Sequence, residues 1–408
     1  MPLRIGLLTD CYPPSVGGIE HYVYSLARGL AQQGHLVDVV THEPPGASRS
    51  RCAVRAESEP LGDGWLTTYR FSGLVLRWGG GDPMLDPRLP SHLVELMAAR
   101  RYDIVHGHSL ASWLVLAGLV AARRLGIPSV ITRHSMTRRP QRPPLVSQLL
   151  LSLELRLARG CADAIMSVSE AAADELPDGR RRYVMPGAVD AETWRPDPET
   201  RARMRAELGY GPDDLVIGAL SRMVPSKGWL DLPEIAAEVV RAAPQARFLA
   251  VGDGPVRQQL ERRLDELSLR PFFTLPGAKP WSEGRDYMSA MDIFCFPSHT
   301  EAWGIALLEA MACAKPCVAR RSPGTQEIVA PGAGYLVDSN DEILASLRQL
   351  IADPSLRERL GASARQHVEQ RYAWPVMASK IARAYGEIIH GTARPLAYRR
   401  KGTATVQR

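Results

Sequence analysis

The strongest chemical pattern in the chain is E-A-W-G-I-A-L-L-E, from Glu301 to Glu309. It follows the apolar run Ile293–Phe296 and the turn Pro297–Thr300, and it continues into the helical stretch L-L-E-A-M-A-C-A. The amides of Gly304 and Ile305 would open that helix. Unpaired amides at the positive end of a helix dipole are a natural cradle for a phosphate. Glu301, just ahead of the helix, is placed to reach a group beyond the phosphate. Glu309, more than a turn inside, is placed to accept from the two hydroxyls of a ribose. The plainer alternative is a pair of carboxylates favoured near a helix start by its dipole. The strand before the block and A-M-A-C-A-K-P after it favour ligand binding.

A second pattern is S-R-M-V-P-S-K-G, Ser221–Gly228. Arg222 and Lys227 lie five apart across a turn holding Pro225, so a fork and a point charge can converge on one diphosphate. Two solvated surface cations are the ordinary alternative. Only five of the 50 basic residues are Lys (227, 279, 315, 380 and 401), which makes Lys227 notable. A third pattern is Val16-Gly17-Gly18-Ile19, where a Gly pair after the first strand would let backbone approach a ligand closely. A tight turn explains it equally well, and G-x-G-x-x-G is missing both here and at Gly252-Asp253-Gly254-Pro255.

Three histidines close strand patterns: His106 and His108 in D-I-V-H-G-H, and His134 in S-V-I-T-R-H. A single strand-end His is ordinarily a hydrogen-bonded structural residue, but three in one domain make His134 a site candidate and His108 a weaker one. No H-E-x-x-H and no His/Cys cluster at ligand spacing indicates a metal site. The absence of D-x-D argues against a site built around a carboxylate-held divalent ion. The segment R-H-S-M-T-R-R-P-Q-R-P-P, 133–144, packs Arg138 and Arg139 among four arginines before the amphipathic stretch 144–160. It suits an anionic ligand or an anionic membrane, or else it is a solvated loop before a core helix.

All of these groups lie just after strand patterns, which points to the elements that must hold them. Leu3–Thr9 is a buried-strand run, and Ile19, Tyr22, Val23, Leu26 and Leu30 share one helical face before Gly34. Strand patterns follow at 36–41, 103–106, 128–133, 163–168 and 181–185, separated by helical stretches. Asp190–Asp214 is polar and rich in charge and Pro, and reads as a linker. The alternation restarts at 215–221 and runs through 246–251, 271–275, 292–296 and 316–319. Strands alternating with helices predict an α/β fold of two Rossmann-like domains facing a cleft, with ligands at the carboxyl ends of the strands. The predicted bounds are 1–190, a linker 191–214, and 215–374. The basic, unpatterned tail 393–408 is expected to be disordered.

Composition agrees. The 408 residues are 45% hydrophobic and 23% charged, which excludes a disordered or fibrous chain. Lys and Arg exceed Asp and Glu by 50 − 44 = 6, a mild basic bias that suits anionic small molecules, a membrane face or nucleic acid without choosing among them. Six scattered Cys without a C-x-x-C pair argue for reduced thiols. No charge-free stretch of about 18 apolar residues occurs. The start runs directly into a strand with no leader pattern. A cytoplasmic protein is expected.

Taken together, G-G-I-E, I-V-H-G-H-S, V-I-T-R-H-S, V-M-P-G-A-V-D, S-R-M-V-P-S-K-G, G-D-G-P and the E-x7-E block resemble the retaining GT-B glycosyltransferases of family 4, nearly end to end. The N-terminal features look most like enzymes acting on phosphatidylinositol or inositol phosphate and related bacterial enzymes. The family usually has Asn-Gly where this chain has Gly187-Ala188. The resemblance implies retaining, metal-free transfer from a UDP- or GDP-sugar, which is a substrate, with no cofactor and no nucleic acid. The acceptor would be a small molecule or lipid-linked, with peripheral membrane contact at most. Carried over by motif, Arg222 and Lys227 bind the leaving diphosphate and Glu301 contacts the sugar. Glu309 holds the ribose, Gly304 and Ile305 donate amides, His134 sits by the reacting sugar, and Gly17-Gly18 lies under the phosphates. His108, Arg138 and Arg139 fall on the acceptor side, and 375–392 forms a helix crossing back to the first domain. A nucleotide-sugar epimerase or hydrolase, or a silent binding subunit, are the competing readings; the latter is disfavoured by the presence of all four charged groups.

Two cations and a helix start take the place of a divalent ion in this reading. Transfer in excess EDTA should therefore retain most of its rate. Loss of activity in chelator, with rescue by Mg²⁺ or Mn²⁺, would count against it.

Overall fold

A computed structural model describes residues 1–10, 12–15, 18–43, 54–72, 88–108, 112–134, 156, 160–174 and 181–391. The chain divides into two compact units: Met1–Met185 with Ala378–Arg408, and Pro186–Met377.

The first unit is built on an eight-stranded sheet: β1 (Arg4–Thr9), β2 (Leu36–His42), β3 (Val54–Leu61), β4 (Gly64–Phe71), β5 (Ile104–His108), β6 (Ser129–Arg133), β7 (Ala164–Ser167) and β8 (Arg181–Val184). Their order is β3-β4-β2-β1-β5-β6-β7-β8, parallel throughout except for the β3–β4 hairpin. The central strands are short, nearly continuous apolar runs because helices cover both faces of a parallel sheet; β1 is buried from Ile5 to Thr9. The helix Gly18–Gln32 buries Tyr22, Val23, Leu26 and Leu30 on the face expected from their spacing. The helix Trp113–Leu125 starts at Ser112, whose hydroxyl accepts from the Val115 amide, and stops at left-handed Gly126. The polar interior group Asp38, 1% exposed, is matched by Arg100 at 2.5 and 2.8 Å and by the Tyr102 hydroxyl at 2.8 Å.

The second unit carries six parallel strands: β9 (Leu215–Leu220), β10 (Ala246–Val251), β11 (Phe273–Gly277), β12 (Ile293–Phe296), β13 (Cys317–Arg320) and β14 (Tyr335–Val337). They are ordered β11-β10-β9-β12-β13-β14. β9 and β12 are neighbours in the middle of the sheet, with Ile217 opposite Ile293. The loops leaving their carboxyl ends therefore start side by side. The helix Trp374–Gly391 begins in the second unit and runs into the first, where the Tyr385 hydroxyl lies 2.6 Å from His106 Nδ1.

The structure departs from the sequence expectation in three places. The segment 191–214, expected to be a linker, belongs to the second unit and contains the helix Pro198–Glu207, capped by Asp197 on the Thr200 amide at 2.9 Å. Two of its arginines point inward: Arg201 and Arg205, one turn apart, bind Asp292 at 2.5 and 3.0 Å and the carbonyls ending the helix Trp281–Ala290. A charge-rich composition here marks a part-buried ion network rather than a solvated tether. The hairpin β3–β4 is not anticipated by patterning: its outer strand is exposed along nearly its whole length, so it lacks an apolar alternation. The strand expected over 271–275 is β11, displaced to Phe273–Gly277 by a turn at Arg270–Phe272. The tail 393–408 and nearly all of 144–160 lie outside the described residues.

Candidate active site

In the second unit, the loop after β9 and the loop after β12 are sewn together. The Ser226 carbonyl accepts from the His299 amide at 2.9 Å and the Ser298 hydroxyl at 3.2 Å. His299 reaches Asp231 at 2.8 Å, and Arg320 ties Asp231 and the Pro297 carbonyl, each at 3.3 Å. These contacts place Lys227 Nζ 2.5 Å from Glu301 Oε1, with the lysine side chain 21% exposed and the glutamate 8%. The two sequence motifs thus meet in one ion pair. Arg222 is exposed, and no described residue partners its guanidinium; its carbonyl is held by the Trp229 indole at 3.0 Å.

The G-D-G-P turn supports this loop. Met223 N donates to Asp253 O at 2.8 Å, and Gly252 and Gly254 sit at φ +149° and +152°. A Cβ on Gly252 would stand 1.9 Å from Ser221 O, and one on Gly254 2.4 Å from Met223 O. Only glycine allows the two backbones to approach this closely.

Gly304 is the left-handed N-cap of the helix Ile305–Ala312, which leaves the first amides of the helix without intrahelical partners. Glu309, 3% exposed, accepts from Trp281 Nε1 at 2.8 Å. Burial pushes its carboxyl up to about 8, against the lowering effect of that hydrogen bond. Sequence reasoning misses Trp281, because a lone Trp at a helix start carries no motif. Gly187 also has a physical role. Trp303 donates to its carbonyl at 3.1 Å, and a Cβ on Gly187 would meet the indole at 2.4 Å. Asn, the residue the family usually carries there, would need Trp303 to move.

In the first unit the strand-end histidines form one cluster, with His106 and His108 buried and His134 half-buried. His106 bridges Tyr385 and Thr132, at 2.6 Å each, and His108 Nδ1 lies 3.1 Å from His134 Nε2. The His134 ring packs edge-on against Tyr22, 4.8 Å between centroids. Burial holds all three imidazoles neutral: His106 down to about 3, His134 to about 4, and His108 well below the usual range, with the neighbouring rings adding to the effect at His106 and His108. Gly18 starts its helix exposed, with open space where a Cβ would be. Gly17, Arg138 and Arg139 lie outside the described residues.

Two doubly wound units, each built on a largely parallel sheet, have the architecture of the GT-B class of sugar transferases. A model described as Glycosyltransferase Family 4 matches residues 16–193, and one described as Glycosyl transferases group 1 matches 200–367. The two leave little of the chain uncovered, and the chain belongs to this family of glycosyltransferases. It is 27% identical to a GDP-mannose-dependent monoacylated α-(1-6)-phosphatidylinositol monomannoside mannosyltransferase of Corynebacterium glutamicum, over 92% of this chain and 96% of that one. It is also 27% identical to a phosphatidylinositol N-acetylglucosaminyltransferase chain of Arabidopsis thaliana, over 97% of this chain and 84% of that one. Its fold is similar to that of a sucrose-phosphate synthase from Thermosynechococcus elongatus, with a TM-score of 0.70 at 22% identity over 95% of this chain and all of that one. Among the described residues, no helix is long and apolar enough to cross a membrane.

The histidine cluster makes stability depend on pH. Unfolded, each imidazole takes a proton near pH 6.5; folded, His134 resists until about pH 4 and His106 until about pH 3, and His108 is also held well below its usual value. The stabilisation is fully present above pH 6.5 and is lost as pH falls toward 4, by up to about 1.4 kcal/mol per pH unit for each histidine. Urea melts between pH 7 and 4.5 should show this slope, and His106→Gln, which can still bond Tyr385 and Thr132, should reduce it by about one proton. Parallel profiles for the two proteins would contradict the assignment.

Proposed function

We propose that the protein transfers a sugar from a nucleoside diphosphate sugar to an acceptor hydroxyl with retention at the anomeric carbon and without a metal, the acceptor being inositol-containing or otherwise lipid-linked. The observation that carries the reading is the Lys227–Glu301 pair, held 2.5 Å apart between the loops after β9 and β12. It joins a diphosphate-binding cation to a carboxylate for sugar hydroxyls just ahead of the helix start at Gly304. The phosphatidylinositol-linked activities named for the relatives from Corynebacterium and Arabidopsis support the acceptor class.

In this reading the ribose hydroxyls donate to Glu309, and the diphosphate lies against the Gly304 and Ile305 amides with Arg222 and Lys227. The bond from the anomeric carbon to the β-phosphate oxygen breaks, and charge grows on that oxygen. Lys227, Arg222 and the helix start stabilise this charge in place, which is electrostatic catalysis of departure. The acceptor oxygen bonds to the anomeric carbon from the same face, its proton passes to the departing phosphate oxygen, and a nucleoside diphosphate leaves. Lys227 must turn from Glu301 toward the phosphate, which frees Glu301 for the sugar. A neutral imidazole at His134, placed beside the sugar in this reading, adds no positive charge against a developing oxocarbenium ion.

A thermal-shift panel of UDP, GDP and ADP sugars tests the reading, because a bound donor stabilises by about RT ln(1 + [L]/Kd). One nucleotide should stand out; no shift with any of them would overturn it. Lys227→Ala would strip a partner from a buried carboxylate, so Lys227→Gln, which can still donate to Glu301, is the cleaner variant. A charge-assisted hydrogen bond is worth about 1.5–3 kcal/mol, so Lys227→Gln should lower turnover by tenfold or more under conditions where the variant is fully folded. Glu309→Ala should weaken binding of bare nucleotide, whereas Glu301→Ala should leave it nearly unchanged and lower turnover. The reverse pattern in calorimetry would mean that the block lies the other way along the donor.

A further inference from the structure

β3 (Val54–Leu61) is the outer strand of the first sheet, paired with β4 on one side and with no described strand on the other. The turn decides which of its backbone groups face the open side. Leu61 and Gly64 close the hairpin across Gly62 and Asp63, and Gly62 takes the first central position at φ +58°, as a type II′ turn requires. The closing pair of such a turn exchanges both of its backbone hydrogen bonds, and hydrogen-bonded and open pairs then alternate along the antiparallel ladder. Leu61, Glu59, Glu57 and Arg55 therefore direct their amides and carbonyls to β4. Val54, Ala56 and Ser58 turn theirs outward, and no described backbone group takes them up. Pro60 also faces outward but has no N–H to offer.

An exposed edge pairs with a strand that matches it unless its side chains forbid the match. Here the side chains select one match. Arg55 and Glu57 stand on one face of β3, 2.6 Å apart, with side chains 68% and 55% exposed. Because only every second residue faces outward, two antiparallel copies of β3 can be related only by a two-fold axis that passes through a residue. An axis through Arg55 opposes two guanidinium groups. One through Glu57 opposes two carboxylates, and the Glu59 that would then answer Arg55 is already engaged by Arg28 at 3.3 Å. One through Ser58 sets Glu57 against Glu59 twice and Ala56 against Pro60, which cannot donate. An axis through Ala56 has none of these conflicts. Each Arg55 lies opposite the partner's Glu57, where opposite charges across strands attract. Ala56 exchanges backbone bonds with its own copy, and Val54 does so with the partner's Ser58 on each side of the axis. Val54, 46% exposed in the single chain, gains a neighbour on its open side.

We propose that β3 is a dimer interface: two copies of the chain join edge to edge, antiparallel, on a two-fold axis through Ala56, so that their eight-stranded sheets run on as one. The occupant of the edge is a second copy, because the match of Arg55 to Glu57 is a match of the strand to itself. The interface is closed, since each β3 covers the other and no third chain can add there. It uses no residue of the candidate active site, and it holds or fails independently of the glycosyl-transfer reading.

The test is sedimentation velocity on the full chain across a concentration series. The wild type should show a monomer–dimer equilibrium. Arg55→Glu sets carboxylates against carboxylates across the axis, and Glu57→Arg sets guanidinium groups against each other. Each variant alone should weaken the dimer by tenfold or more. Mixed in equal amounts, the two should pair with each other about as strongly as wild type, because each supplies the charge that the other lacks. That recovery also shows that both variants are folded. Ala56→Pro, which takes an N–H from the axis and none from the β3–β4 ladder, should remove the dimer. A wild type that stays monomeric overturns the proposal, including one whose edge takes up a strand of some other protein instead. So does a dimer that either charge variant leaves unchanged, or a pair of charge variants that remain monomers when mixed.

Discussion

Lys227 and Glu301 are opposite charges drawn out of water at the junction of two loops. Removing an ion from water costs several kcal/mol, and mutual attraction offsets that cost only when the geometry is held closely. Much of the second unit can be understood as the means of holding it. Parallel pairing of β9 with β12 starts the two loops as neighbours. The Ser226 carbonyl, His299, Asp231 and Arg320 then fix one loop to the other. Trp229 and the glycines at 252 and 254 press the first loop from behind. In the proposed reading, a donor offers Lys227 a phosphate oxygen and Glu301 a hydroxyl, replacing one set of partners with another.

The first unit solves a different problem. Three imidazoles lie together at the ends of β5 and β6, and their neutrality is a direct result of burial. Asp10, just past β1, and Arg70, on β4, lie at the same sheet edge.

Strands buried on both faces are legible in the sequence because they are continuous apolar runs: 246–251 matches β10 residue for residue, and 215–221 and 128–133 match β9 and β6 to within a residue. The motifs at 221–228 and 301–309 stand out in the sequence because charged residues and glycines fall at fixed spacing just after strand patterns. The helix Pro198–Glu207 is not, since Arg201 and Arg205 are inward-facing ion-pair partners that composition alone scores as solvated. The exposed strand Val54–Leu61 has no buried face to leave a period. Trp281, Asp10, His42 and Ser112 are single residues on separate elements, and only folding brings them to Glu309 or to each other.

The helix Trp374–Gly391 has a consequence for biosynthesis. The first unit comprises Met1–Met185 and Ala378–Arg408, so its sheet leaves the ribosome long before its closing helix is made. Until Tyr385 emerges, His106 lacks its Nδ1 partner and the apolar wall formed by Ile381, Tyr385 and Ile388 is missing from the nascent chain. The second unit, contiguous from Pro186 to Met377, is complete earlier, although it begins later. The order of maturation thus runs against the order of translation, and the N-terminal half must wait with part of its interior uncovered while the other half is synthesised. That interval is when chaperone holding or proteolytic clipping would act on this chain.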